Sequence, residues 1–415
     1  MSQTHSSTTS LMIREKMKRR SHSENEESED RLSDLPDCLL VYILSFLRIE
    51  YAVRTCILST RWKHLWKRIP ELFLHSSTLF RGKEKQFFTF VSKILTLRDN
   101  SAALHILDFE CDSDYESELV QKILNYACSH NTQIQQLGIS ISHDSDLLMP
   151  CVSSCQALTS LTLSIYNGCI FPDTFPKYLN MPALTSLDLT GFTFCGDENR
   201  CAEPFSAFTK LNSLIISRCM VKDAQILRIS SETLDNLYLY KNLFNFDKIE
   251  LAAPSLCTFT FYGTPKQKIC GSGFSSVKEV NIDAHMFSKV DKSPMILFSW
   301  LLDLANIESL TVSSSTLQIL SLVPDLLEVK LPSLCNLKSV EIKLERLGIL
   351  PSLLHFMYEA NQAMLKKAAA KSRKEASKLR KAFKAGLEPP SIPDGIVDFL
   401  LQNSPSAKVN ITSDY

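Results

Sequence analysis

Glycine is scarce in this chain, at 11 of 415 residues. A fold built on glycine-rich phosphate loops would use more, because close backbone approach to a phosphate favours a residue without a Cβ. An excess of one charge sign is also missing. Lys and Arg total 45, as do Asp and Glu, so neither nucleic acid nor another polyanion is expected to bind the chain as a whole. Long apolar runs are lacking too. Leu39–Leu47, the longest clear run of the first half, is about half of what a bilayer span needs, and no membrane contact is expected. The polar start, Met1–Ser10, has no signal-like apolar core. That predicts a nuclear or cytoplasmic protein whose thiols stay reduced.

The 13 cysteines lack metal-site spacing. Cys151 with Cys155 and Cys195 with Cys201 are the closest pairs, and neither has a second Cys/His pair at zinc distance. They are expected in the core as small apolar side chains, with no metal or cofactor. GxSxG, GxxxxGK[ST], HExxH and GxGxxG are all absent. The 9 histidines are scattered, and Cys270-Gly271-Ser272-Gly273 has no basic residue at phosphate-binding spacing. A non-catalytic protein is expected.

What is present is apolar: 45% of the residues are hydrophobic, enough for a sizeable core. Residues 1–30 are the exception. They are Ser/Thr/Glu-rich, with five positive charges in Arg14–Arg20 and five negative in Glu24–Asp30, and they read as a disordered tail. Lys16–Arg20 (KMKRR) has the character of a nuclear address.

Residues 31–75 form the first ordered segment. Asp34-Leu35-Pro36-Asp37 offers a helix start. Leu39, Leu40, Ile43, Leu44 and Leu47 then share a helical face. A second short helix is expected near Ile49–Cys56. A third, capped by Ser59, would carry Trp62, Leu65, Trp66 and Ile69. Leu35, Leu39, Ile43 and Phe46 are more apolar than so small a unit can bury, and they predict a surface covered by a partner. The string Leu35-Pro36-Asp37, Leu39-Leu40, Ile43-Leu44-Ser45-Phe46-Leu47, Val53-Arg54-Thr55, Leu58-Ser59, Arg61-Trp62-Lys63 and Leu65-Trp66 resembles the F-box, in particular that of plant F-box/leucine-rich-repeat proteins. The resemblance implies docking on a Skp-family adaptor and, through it, on a cullin ubiquitin ligase. The adaptor-binding residues would be Leu35, Pro36, Leu39, Ile43 and Phe46.

Residues 76–347 repeat the pattern LxxLxL ten times, starting at Leu104, Ile134, Leu158, Leu184, Leu211, Leu234, Leu256, Val277, Ile307 and Leu337. Successive starts lie 30, 24, 26, 27, 23, 22, 21, 30 and 30 residues apart. The middle spacings are those of leucine-rich repeats, and the longer ones leave room for a helix. Cys219 and Asn242 fall where such repeats place a residue that bonds the turning backbone, with Ser315 a weaker counterpart. The fold class is therefore α/β: a three-helix F-box followed by a leucine-rich-repeat solenoid, a horseshoe with a parallel sheet on its concave face. Helices are expected on the convex side around Phe87–Leu95, Leu119–Ala127 and Ser293–Leu304.

Residues 348–415 form a C-terminal region. Lys366–Lys384 carries nine positive residues and one acidic in an Ala-rich stretch that should be helical and exposed. After it, residues 392–405 predict a short helix and Ala407–Ile411 a strand. This end resembles the FBD region that many plant F-box/leucine-rich-repeat proteins carry, interrupted here by the basic segment.

Together these features point to the substrate-recognition subunit of a Skp–cullin–F-box ubiquitin ligase that holds an unidentified target protein. Two other readings use the same surfaces: a non-degradative interaction scaffold, and a nuclear regulator touching nucleic acid through Lys366–Lys384. In a strand reading LxxLxL the leucines face the core, so alternate residues face the opposite side. That places Ile215, Tyr238, Tyr240 and Tyr262 on the target-binding face, with Glu279 and Asp283 as an acidic edge.

Overall fold

The computed structural model describes residues 32, 34–76, 80–111, 117–130, 132–142, 148–166, 173–177, 179–241, 246–286, 292–344, 377 and 392–413. The basic segment 366–384, Asn242 and the tail 1–30 lie outside these, apart from position 377. The chain divides into two compact units, one comprising residues up to Pro70 together with Arg98–Ala102, the other Glu71–Leu97 together with the chain from Ala103 onward.

The first unit is helical. Helix Asp37–Ser45 begins directly after Pro36, whose fixed φ of −65° suits a helix entry. Arg61 staples that entry: its Nε donates to Asp37 Oδ1 at 2.9 Å, and its Nη2 donates to the Leu35 carbonyl. The apolar face anticipated on this helix splits in two. Leu40 and Leu44 are fully buried and join Ile49, Ala52, Trp62, Leu65, Trp66 and Ile69 in a small core, while Leu39, Ile43, Phe46 and Leu47 remain exposed. The second helix is Ile49–Arg54, continued by a 3-10 turn over Thr55–Ile57. The third is shorter than its apolar spacing suggested, a 3-10 segment at Leu65–Arg68. Pro70 accounts for part of this, since the residue before a proline is pushed out of the helical region, and Ile69 is extended with ψ 127°. Residues 98–102 complete the unit. Arg98 Nη2 donates to the Ile69 carbonyl at 2.6 Å, and the Asp99 N–H donates to the Lys67 carbonyl at 3.1 Å.

The second unit is organised by one parallel sheet of twelve strands that follow each other in chain order. They are β1 Glu71–His75, β2 Ile106–Glu110, β3 Gln136–Ile141, β4 Ser160–Ile165, β5 Ser186–Thr190 and β6 Ser213–Ser217, then β7 Asn236–Tyr240, β8 Thr258–Gly263, β9 Glu279–Ala284, β10 Ser309–Ser313, β11 Ser339–Leu344 and β12 Lys408–Ser413. All ten LxxLxL units supply a strand, β2 to β11. The paired leucines stack in register, as in Leu187↔Leu214↔Leu237↔Phe259↔Val280↔Leu310. Each of these is at most 3% exposed, and a buried aliphatic side chain contributes about 1.5–3 kcal/mol. This is a leucine-rich-repeat solenoid.

Two strands lie beyond the ten repeats. Glu71–His75, within the segment assigned on sequence to the F-box, is the sheet's first strand, with Leu72 and Leu74 buried beside Leu107 and Phe109. At the other end, β12 pairs with β11 in parallel. It is preceded by helix Ile396–Leu401, whose Ile396, Phe399 and Leu400 are buried. The Ser404 hydroxyl donates to the Leu334 carbonyl at 2.7 Å, and Asn403 Nδ2 donates to the Leu331 carbonyl.

The longest repeats are backed by α-helices. Where successive starts lie 30 apart, α-helices fit: Ser117–Ser129 and Ser293–Asp303, the latter with proline at its start. Helix Glu84–Leu97 does the same between β1 and β2. Helix Leu148–Ser154 backs the 24-residue repeat, and through the repeats after it, of 21 to 27 residues, the backing is mainly extended. Cys201–Ala202, Ile226–Ser230, Lys248–Ala252 and Lys268–Cys270 form one small parallel sheet; Asp173–Thr174, Phe192–Cys195 and Met220–Lys222 form another. A repeat of 21–23 residues cannot hold a strand, two turns and three helical turns, whereas an extended segment covers the same length with fewer residues.

Candidate functional site

Two surfaces have side chains that the fold itself does not use. The first is the outer face of helix Asp37–Ser45. Phe46 is 71% exposed and Leu39 46%. Ile43 and Tyr42 are also exposed, with Tyr42 edge-on to Phe46 at 4.8 Å. Pro36 is exposed and Leu35 half-buried at the entry of the helix. Ile57 and Leu58 add further exposed apolar area. A contiguous apolar patch on so small a unit is what a protein interface looks like before it is covered. Trp62 and Trp66 do not belong to it. Both are buried in the unit's core.

The second surface is the face of the sheet turned away from the core. Strand alternation leaves every second side chain there half-exposed, and parallel pairing sets these in rows. Ile215, Tyr238, Thr260 and Asn281 form one row; Ser217, Tyr240, Tyr262 and Asp283 form the next. Glu279 starts β9 and is exposed. The structure thus brings Ile215, Tyr238, Tyr240, Tyr262 and Asp283 together over four adjacent strands, and puts Glu279 at one corner. The Tyr238 and Tyr240 rings are nearly parallel, 6.3 Å apart at 13°.

Several neighbours were not singled out on sequence. Arg218 and Lys241 directly follow β6 and β7. Both adopt left-handed backbone, φ 50° and 45°, at the turn position that Gly191 fills after β5 with φ 78°. Glycine is cheaper there, so two bulky cations in strained turns mark a place where the side chain matters. At Gly191 itself no side chain fits, since a Cβ would meet the Ile165 carbonyl oxygen at 2.2 Å. The Lys241 ammonium lies 4.9 Å from the Tyr262 ring centre, and the Arg218 guanidinium 6.0 Å from that of the exposed Tyr166. His285, just past β9, packs edge-on against Tyr262 at 4.9 Å, and burial holds its imidazole below the usual range. Asp188 on β5 shares the row of Ile215 and Tyr238. At the start of the sheet, His75 Nε2 lies 3.1 Å from Asp108 and Nδ1 3.8 Å from Glu110. The sequence signal for all of these was register: each falls at or just past an alternate position of a repeat strand.

The ladder residues serve the fold. The Cys219 thiol is fully buried, donates towards the Leu189 and Ser217 carbonyls at 3.6 and 3.3 Å, and is pushed up to about 12 by burial. A thiol held protonated this way is a structural group. Ser315 plays the same part between β9 and β10, donating to the Ala284 carbonyl at 3.1 Å, while the adjacent Thr316 donates to that of Ile282 at 3.0 Å. Among the described residues no group of three or more His, Cys, Asp or Glu side chains could hold a metal ion, and no described helix is long and apolar enough to cross a membrane.

Comparison with known proteins fits this architecture. Residues 32–74 match the F-box domain model. F-box/LRR-repeat protein 13 of Arabidopsis thaliana is 29% identical over 219 residues, covering 51% of this chain and 46% of that protein. An F-box/FBD/LRR-repeat protein of the same plant is 24% identical over 290 residues, 69% of this chain and 62% of its own length. A third Arabidopsis thaliana protein, named for an F-box and LRR repeats, is 25% identical over 391 residues, 91% of this chain and 86% of its own. The chain thus combines an F-box domain with leucine-rich repeats, as these plant relatives do by name. It spans less than two thirds of the length of the first two relatives, at 46% and 62%.

Proposed function

We propose that this F-box/leucine-rich-repeat protein is the non-catalytic, target-binding subunit of a Skp–cullin–F-box ubiquitin ligase acting in the nucleus or cytoplasm. The observation that carries the reading is the division of labour on helix Asp37–Ser45. Leu40 and Leu44 complete the core of the F-box unit, and Leu39, Ile43 and Phe46 are left over on its outer face. An adaptor of the Skp family would cover them, with Leu35 and Pro36 at the helix entry, and would bring in the cullin. The open face of the sheet, centred on Ile215, Tyr238, Tyr240 and Tyr262 with Glu279 and Asp283 at its edge, would hold the target. Aromatic anchors rimmed by polar and charged groups are what a protein-binding hot spot requires. The mechanism is proximity: a tethered target presents its lysines at high effective concentration to a charged ubiquitin-conjugating enzyme, and no chemical group of this chain takes part. We further assign residues 392–413 as the counterpart of the FBD region named in some relatives.

Affinity purification of the full chain from its native cells, with the proteasome blocked, tests this reading. Skp-family adaptor, cullin and stabilised target proteins are expected together. Recovery of the adaptor without cullin would instead mean a scaffold. Loss of neither adaptor nor cullin on replacing Leu39 and Phe46 by alanine would overturn the assignment of that face.

A further inference from the structure

Three carboxylates stand close to the tyrosines of the open face, and their surroundings differ. Glu279 is exposed to water. Asp283 has the His285 imidazole beside it, Nε2 3.7 Å away, a ring that burial holds below the usual range and on which Lys241 also acts. Asp188 has neither. It is half-buried, and among the described residues no hydrogen bond or ion pair satisfies its carboxyl. Burial is the one influence on it and pushes it up to about 6. A carboxylate taken part-way out of water without a partner costs free energy, and a cation arriving from outside would offset that cost.

What surrounds Asp188 suits a cation with a hydrocarbon stem. Its register neighbour is Ile215, and the next residue in that row is Tyr238. Two strand spacings, about 9–10 Å, therefore separate the backbones of Asp188 and Tyr238, with the aliphatic Ile215 between them. Tyr240 lies within electrostatic reach, since the Asp188 charge is among the influences that raise its hydroxyl, after burial and Tyr238. The cations of the rim are occupied elsewhere: Arg218 lies over Tyr166 and Lys241 over Tyr262. Lysine and arginine lay their stems on apolar surface while their heads seek a carboxylate or an aromatic face.

We propose that Asp188, Ile215, Tyr238 and Tyr240 form a seat for one lysine or arginine side chain of the captured protein. This rests on the open face being the target surface, and it adds the chemistry of what is read there. The full chain, co-purified with its adaptor, is used as bait for a random peptide display library in three forms, unaltered, Asp188→Asn, and Tyr238→Ala with Tyr262→Ala, and a fourth form, Asp188→Lys, tests charge reversal on the peptides recovered. The unaltered bait is expected to enrich peptides with Lys or Arg at one fixed place. Asp188→Asn, an isosteric change, should weaken those peptides roughly ten- to a hundredfold, as expected for loss of a charge-assisted bond. Asp188→Lys should recover binding to the peptide whose cation is exchanged for Glu. A pool without cationic enrichment, or no pool at all, overturns the seat. Peptides that bind the unaltered and Asp188→Asn baits equally but fail on the tyrosine variant also overturn it, while leaving the target surface standing. Peptides that bind all three baits equally overturn both.

Discussion

The outer face of helix Asp37–Ser45 and the open face of the sheet are built on opposite principles. The helix face is almost wholly apolar: Leu39, Ile43, Phe46 and Leu47 sit exposed over a core already closed by Leu40, Leu44 and Trp66. The sheet face is mainly Ser, Thr and Asn, interrupted by one group of tyrosines and a few acids. Apolar area gives affinity with little discrimination, which suits one partner of constant shape. Polar rows with a few aromatic anchors suit selection, because each mismatch leaves a polar group unpaired. In a solenoid the leucines hold the fold and the alternate residues do not, so the open face can change its chemistry without losing stability.

Four experiments would break or sharpen that contrast, in order of expected effect. Trp66→Ala empties the core behind the helix face. About 3–5 kcal/mol should be lost, seen as unfolding of the F-box unit in a denaturant titration and a lower soluble yield. A folded variant that fails only in adaptor binding would move Trp66 to the interface. Replacing Leu39 and Phe46 by alanine acts on the surface alone. Adaptor affinity should fall by about 2–4 kcal/mol with an unchanged melting temperature, by titration calorimetry. A shift in melting would mean that these side chains support the fold after all.

On the sheet, Tyr238→Ala with Tyr262→Ala should abolish target capture and leave the adaptor complex intact. Co-purification of an unchanged target with this variant would place recognition elsewhere, most plainly in the region after Gly348. The smallest effect concerns Asp188. Its folded-state carboxyl lies at about 6, above the ordinary 3.8, so the folded protein holds the proton more tightly than the unfolded chain. Its contribution to stability is fully present below pH about 4 and is lost as pH rises through about 6. Asp188→Asn should therefore melt higher than the unaltered protein at pH 8 and equally at pH 4. Equal melting at both values would mean that the carboxyl is well solvated.

Most of the solenoid was legible in the chain. LxxLxL recurring in one register locates β2 to β11, and the long spacings locate the helices Ser117–Ser129 and Ser293–Asp303. The first strand was not legible as such. Ile69, Leu72 and Leu74 keep the spacing of the motif, with Ile leading as at Ile134 and Ile307, but they follow the F-box without a break and Ile69 reads equally as part of its third helix. The third F-box helix was over-read, because Trp62, Leu65, Trp66 and Ile69 keep helical spacing although only Leu65–Arg68 is helical, as a 3-10 segment that Pro70 ends by holding Ile69 extended. The Tyr238, Tyr240 and Tyr262 neighbourhood followed from alternation and strand spacing alone. Asp188 did not, since a single Asp among serines carries no sign of its missing counter-charge.

By itself the sequence determined which side chains of the ten repeats face inward, and where the longest backing segments form helices. Period and spacing are local properties, and a strand of LxxLxL has one way to bury its leucines. Only the tertiary structure decided the rest. It joined residues 71–75 and 408–413 to the two ends of one sheet. It put Leu40 and Leu44 of the first helix into the core and left Leu47 on the surface, and it left Asp188 half-buried, with no hydrogen-bond or ion-pair partner among the described residues, in the row of Ile215 and Tyr238. Burial and pairing depend on which distant segments come to lie alongside, and no window of neighbouring residues contains that information.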